Sequence, residues 1–113
     1  MTECIFCRIA EKELPAQIVW EDELALGFRD LSPQAPTHIL VIPKKHIPSI
    51  GAATDSDKDL MGHLLLACRK IAESEGLGSE FRLVTNTGAS AGQSVFHLHI
   101  HLLGGRPFGW PPG

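Results

Sequence analysis

The chain lacks most features that would send it to a membrane, to nucleic acid or out of the cell. Its longest apolar stretches fall far below the roughly 20 residues a transmembrane helix needs. Lysine and arginine together number ten, scattered rather than clustered, against a net charge of -3. Without a basic stripe there is no electrostatic footprint for a phosphate backbone, so neither nucleic acid nor membrane is expected as a partner. The opening Met1-Thr2-Glu3-Cys4 has no positive n-region followed by an apolar h-region, so no secretory leader is expected. Three cysteines fit a disulfide framework badly. Reduced thiols in the cytoplasm are the natural expectation. Repeats and low-complexity segments are also missing.

What is present is enough for one modest core. A chain of 113 residues is expected to form a single domain, residues 1–113. A hydrophobic content of 43% excludes disorder by composition. Cys4 to Ala10 reads as a short helix or turn closed by Pro15. Ile18-Val19-Trp20 reads as a strand, Asp22-Glu23 as a hairpin connection, and Leu24 to Asp30 as a second strand. Ser32 to Pro36 is a loop by its prolines, and His38 to Ile42 is a buried strand ended by Pro43. The clearest helix follows Thr54, its expected N-cap, with Asp55 and Asp57 at the positive end of the dipole. Met61, Leu64, Leu65, Cys68, Ile71 and Ala72 give it an apolar face, and Gly76 and Gly78 stop it. Phe81 to Asn86 and Val95 to Leu103 read as the last strands, separated by the small-residue loop Thr87 to Gly92; the tail after Gly104-Gly105 is irregular. The order predicts an α+β domain: an antiparallel sheet with a long helix on one face.

Chemistry concentrates in Gln93-Ser94-Val95-Phe96-His97-Leu98-His99-Ile100-His101-Leu102-Leu103. On a strand, alternation would put His97, His99 and His101 on one face and Phe96, Leu98, Ile100 and Leu102 on the core face. A neutral imidazole can attack phosphorus, and a hydrogen bond to one ring nitrogen fixes which nitrogen stays free. Histidines two apart can also share a metal such as Zn²⁺. The bare pattern leaves phosphate chemistry and a metal-dependent hydrolase nearly level, with an amphipathic strand as the plain alternative. The preceding loop, Asn86 to Ser94, tips the balance to phosphate: its glycines, amides and hydroxyls let backbone N–H groups approach phosphate oxygens. Separately, Cys4 and Cys7 form a C-x-x-C pair that can chelate zinc but lacks a second such pair. Cys68, on the helix's apolar face, reads as a core residue.

His97-Leu98-His99-Ile100-His101-Leu102-Leu103 resembles the His-φ-His-φ-His-φ-φ signature of the histidine triad (HIT) superfamily. The likeness continues through Asp30 to His38, Val41-Ile42-Pro43-Lys44-Lys45-His46 and Trp110-Pro111-Pro112-Gly113, which resemble the Hint branch of nucleotide-binding proteins. The resemblance implies a homodimer whose sheets join, and hydrolysis of purine nucleoside phosphoramidates to AMP and an amine. It implies that His99 attacks the α-phosphorus to form a nucleotidyl-histidine, with His101 contacting the phosphate and His38 supporting the network. Asn86, Gln93 and Ser94 would line the phosphate and leaving-group side, with Ser94 assisting proton delivery. Asp30 would bind the ribose hydroxyls. Phe6, Ile9, Phe28 and Leu31 would wall the base. The tail 104–113 would lie near the dimer interface, with Trp110 beside the partner's active site. Some HIT proteins carry the Cys-Ile-Phe-Cys segment and bind zinc, which implies a structural Zn²⁺ at Cys4, Cys7, His46 and His97, and no cofactor for catalysis. The same site permits a nucleotide-binding scaffold with incidental hydrolysis. Each pocket assignment has a plainer counterpart: Phe6, Ile9 and Phe28 as core, Asp30 as a turn cap, Asn86 as a strand-end residue, Trp110 packed on its own subunit.

Overall fold

The computed structural model describes residues 3–113; Met1 and Thr2, on which the leader reading and the start of the 1–113 domain rest, lie outside the described residues. Helix α1 (Ile5–Ala10) precedes strands β1 (Ile18–Glu21), β2 (Ala25–Arg29) and β3 (Thr37–Pro43), the long helix α2 (Lys58–Ser74), and strands β4 (Phe81–Val84) and β5 (Ile100–Gly104). The five strands form one sheet in the order β1-β2-β3-β5-β4, with every pairing antiparallel. This is the expected α+β architecture.

Local chemistry explains the boundaries. Between β1 and β2, one carboxylate oxygen of Asp22 accepts from the backbone N–H groups of Leu24 and Ala25, both at 2.8 Å, and so turns the chain. The other accepts from Trp20 Nε1 at 2.9 Å and lies 2.8 Å from His63 Nε2, which ties the hairpin to α2. Burial opposes the charge on Asp22, yet these hydrogen bonds win and hold its carboxyl down at about 2. A 3₁₀ turn, Asp55–Asp57, leads into α2, and Asp57 accepts from the Thr54 backbone N–H at 3.0 Å. Gly76, at φ +75°, ends the helix in the left-handed region.

The sheet is covered on both faces. Leu64, Cys68, Ile71 and Ala72 of α2 pack on Ala25, Ile39, Val41 and Leu102. Contact is closest at Gly27, where a Cβ would stand 2.9 Å from Ile71 Cδ1. Burial pushes the Cys68 thiol up to about 12, as befits an inert core cysteine. On the other face, Phe6 and Ile9 of α1 pack on Leu26, Phe28, Leu40 and Ile42.

Three expectations need correction. The last strand begins at Ile100, not Val95, because residues 95–97 bend and residues 98 and 99 lie past the end of the ladder with β3. Alternation therefore fails there, and Phe96 is 53% exposed instead of facing the core. The strand expected over 81–86 stops at Val84, where Thr85 turns its hydroxyl to the His99 carbonyl at 2.9 Å. Leu65, predicted on the buried face of α2, is exposed together with Leu66.

Candidate active site and metal cluster

Strand register assembles the histidines. Leu40 of β3 pairs with His101 of β5, and His38 pairs with Leu103. His38 and His101 are thus diagonal neighbours on one face, within reach of long side chains. His38 Nε2 lies 2.9 Å from His101 Nδ1. The Gln34 backbone N–H donates to His38 Nδ1 at 3.0 Å. A neutral imidazole carries one proton, so His38 holds it on Nε2 and donates to His101 Nδ1. His101 then keeps its own proton on Nε2.

His99 is fixed by a different partner. Its Nδ1 lies 2.7 Å from the His97 carbonyl oxygen, which can only accept, so the proton sits on Nδ1. In the neutral ring the lone pair is then on Nε2. The Phe6 ring meets the His99 ring edge-on, with centroids 5.1 Å apart, and the His99 and His101 rings are also 5.1 Å apart. Burial first, then the neighbouring His99 and His38, pushes His101 down to about 4, against the opposing pull of Asp30. Burial also lowers His38, again opposed by Asp30.

These groups border a cavity of about 250 Å³, lined by Phe6, Ile9, Phe28, Asp30, Leu31, Leu40, Ser94, Val95, His99 and His101 among others. Its lining combines apolar side chains with two imidazoles, a carboxylate and a hydroxyl. Asp30 serves two uses: Oδ1 accepts from the Ser32 N–H at 2.7 Å, and Oδ2 stands 3.5 Å from His38 Nε2. A larger hollow of about 690 Å³ beside Arg82, Arg106 and Phe108 contains no histidine, so the chemistry belongs to the smaller one.

Gln93 is used elsewhere. It is buried, with Oε1 accepting from Gly88 N–H at 2.8 Å and Nε2 donating to the carbonyls of Pro48 and Val95 at 2.7 and 3.1 Å. Its side chain clamps the loop that presents Ser94 and does not border the cavity. Asn86 is half-buried beside Gly92 and also outside the lining. Trp110 is 84% exposed on the single chain. Sequence reasoning missed Thr85, whose hydroxyl donates to the His99 carbonyl, and Gln34 and the His97 carbonyl, which act through the main chain; Leu40, two residues after His38 on the same strand, was legible by alternation.

The triad histidines do not converge on one point. His97 turns its ring to the start of the chain, with Nε2 2.8 Å from the Pro43 carbonyl oxygen. That leaves Nδ1 as an acceptor, 3.3 Å from Cys4 Sγ, 3.5 Å from Cys7 Sγ and 3.1 Å from His46 Nδ1; Cys7 Sγ is 3.3 Å from His46 Nδ1. All four ligand atoms lie within 4.8 Å of one another, so the cluster can hold a metal ion. A tetrahedral zinc with ordinary bond lengths requires separations of about 3.3 Å between nitrogens and about 3.5 Å between nitrogen and sulfur. The observed distances fit. Asp30, His38 and His101 also group closely. There, however, the Gln34 N–H on Nδ1 leaves His38 Nε2 protonated and unable to ligate.

Fold and site define a small α+β domain with two histidines, His99 and His101, lining a largely apolar cavity. A HIT domain family model matches residues 11–108, and the chain belongs to the HIT family. It is 57% identical over 111 residues to an uncharacterized HIT-like protein of Synechocystis, covering 98% of this chain and 97% of that one. A HIT family hydrolase from Legionella pneumophila superposes with a TM-score of 0.96 at 51% identity, covering 98% of this chain and 100% of that one. A histidine triad nucleotide-binding protein from Candida albicans has a TM-score of 0.81 at 30% identity, covering 96% and 83%. The chain thus has the fold of HIT family hydrolases. Among the described residues no helix is long and apolar enough to cross a membrane.

Proposed function

We propose that this chain hydrolyses purine nucleoside phosphoramidates at the α-phosphate through a nucleotidyl-His99 intermediate. The observation that carries this reading is the pair of fixed tautomers at the cavity: a lone pair on His99 Nε2 and a proton on His101 Nε2. A nucleophile and a hydrogen-bond donor side by side suit attack on phosphorus with charge developing on its oxygens. The base lies against Phe6, Ile9, Phe28 and Leu31, and the ribose hydroxyls donate to Asp30. His99 Nε2 forms a bond to phosphorus, the phosphorus–nitrogen bond to the amine breaks, and the amine leaves with the proton of the Ser94 hydroxyl. Water then attacks phosphorus, gives one proton back to Ser94 and breaks the phosphorus–His99 bond, releasing the nucleotide and restoring the imidazole. The nucleotide-binding name of the Candida relative supports the substrate class.

Cys4, Cys7, His46 and His97 would hold a structural Zn²⁺, since four protein ligands leave no open position for water. That ion would tether α1, which carries Phe6 and Ile9, to the residue preceding the nucleophile by two. A second copy of the chain is the expected partner. The edge strand β4 and the neighbouring apolar hollow, lined by Ile50, Met61, Leu64, Leu65 and Leu83, support a joined sheet, with Trp110 reaching the partner's site. A cytoplasmic setting suits the thiolate ligands.

The test is steady-state hydrolysis of an adenosine phosphoramidate by the unmutated protein and by H99A, with and without a chelator. Activity that survives the chelator and vanishes in H99A supports the reading. Activity persisting in H99A, or abolished by the chelator with the fold intact, supports a metal-dependent hydrolase. AMP binding without turnover supports a scaffold.

A further inference from the structure

We propose that Arg106, on the segment after β5, is a positioning residue that sets the tautomer of the His38–His101 pair; the catalytic consequence rests on the reaction proposed above. Arg106 is exposed and borders neither the histidines nor their cavity. Its guanidinium donates to the Gln34 carbonyl oxygen through Nε at 3.1 Å and Nη2 at 3.0 Å. The N–H of the same residue donates to His38 Nδ1. Gln34 is therefore held at both ends, by a planar fork on its carbonyl and by an imidazole on its amide.

That restraint matters because the Asp30 N–H to the His38 carbonyl at 3.0 Å fixes the start of the loop, while Gln34 itself is held from outside the loop by Arg106. Within the loop, Asp30 caps Ser32, and Gln34 Nε2 donates to the Ser32 carbonyl at 2.9 Å. If the Gln34 N–H withdraws, His38 Nδ1 can take the proton. His38 Nε2 then becomes an acceptor, His101 must donate from Nδ1, and His101 Nε2 loses the proton it would offer to a phosphate oxygen. A contact to a carbonyl on the outer side of the loop thus acts with Asp30 Oδ2, 3.5 Å from His38 Nε2, in setting which nitrogen of His101 is a donor.

The guanidinium itself is well oriented. Gly105 has φ +91°, and a Cβ there would meet Pro36 Cβ at 2.9 Å, so the tail backbone runs directly against the loop. Arg106 lies 4.3 Å from the Phe108 ring centroid and donates from Nη1 to the Pro107 carbonyl at 2.9 Å. Arg82 of β4 stands 5.1 Å from the same centroid and donates to the Gly109 carbonyl at 2.8 Å, which pins the far side of the tail. A lysine could supply charge at position 106 but not two parallel donors.

The test compares the unmutated protein with R106A and R106K by ¹⁵N NMR of the histidine rings and by kcat and KM on an adenosine phosphoramidate. In the unmutated protein, His38 and His101 should each be protonated at Nε2 alone. R106A should mix the tautomers of both rings and lower kcat about tenfold, with KM held within about twofold; R106K should recover part of the loss. Unmixed tautomers in R106A would overturn the proposal, as would a raised KM with kcat unchanged. Mixed tautomers together with an unmutated protein that hydrolyses no phosphoramidate would uphold the positioning role and sink the reaction. Should R106A fail to fold, R106K and R106Q carry the same comparison, and a single Nε2–H tautomer in both would overturn the proposal.

Discussion

The His97 carbonyl oxygen accepts the Nδ1 proton of His99 at 2.7 Å, while the His97 ring turns away into the cysteine–histidine cluster. One residue therefore joins two sites. Its backbone orients the ring of His99, and its side chain belongs to the group that also contains Cys4 and Cys7 beside α1. Whatever disturbs the cluster should be felt at His99 and at the apolar wall formed by Phe6.

The first consequence concerns metal. Protein prepared without added zinc should carry about one zinc per chain, and C7S should carry far less. At free zinc about 100 times Kd, binding stabilises by about 2.7 kcal/mol. For a domain of this size, stripping the ion should then lower Tm on the order of 10 °C. A zinc content well below one per chain with unchanged Tm after chelation would remove zinc from the account.

Acid should weaken the fold through the relay. His101 is pushed down to about 4, so between that value and the ordinary histidine pKa of about 6.5 the unfolded chain binds a proton that the folded chain refuses. Stability should therefore be full above about pH 6.5 and fall as pH drops toward 4; His38, also lowered, acts in the same direction. Urea midpoints across this window should slope less steeply in H101N than in the unmutated protein. Equal slopes would contradict burial as the cause.

Gln93 gives a prediction that departs from its expected place against the phosphate. Because its amide links Gly88, Pro48 and Val95, Q93A should be destabilised by roughly 1–3 kcal/mol, the range for buried groups left unpaired. Unchanged urea stability with weakened nucleotide affinity would restore the substrate contact.

Gly27 tests the packing of α2. A methyl there would stand 2.9 Å from Ile71 Cδ1, the tip of a side chain that can turn, and 3.3 Å from Trp20 Cβ, so G27A should cost about 1 kcal/mol, the low end of overpacking. Chemical denaturation measures this directly, and a neutral result would mean that the helix slides at no expense.

Much of the molecule was legible because its elements obey simple periods. The spacing of Leu64, Cys68, Ile71 and Ala72 identified α2 and its buried face, and His38 to Ile42 identified the central strand. The HxHxH run drew attention to His99 and His101, and the resemblance to the HIT superfamily named the Cys4, Cys7, His46 and His97 group that the fold brings together. Alternation misled at Phe96, because a strict period assumes a continuous strand and the chain bends before Ile100. Gln93 misled because an amide next to a glycine loop serves equally well as a clamp or as a ligand contact. Gln34, Thr85 and Arg106 were hidden for a different reason: each acts on or through a main-chain group, which leaves no mark in residue type.

The most direct measurement is a rapid quench of the protein with an adenosine phosphoramidate, followed by mass analysis of its peptides under conditions that preserve phosphorus–nitrogen bonds. The account predicts one adenylyl group on the peptide containing His99, bound to that ring, and none in H99A. Turnover with no adenylated peptide at any quench time, or with the group on another residue, would contradict it.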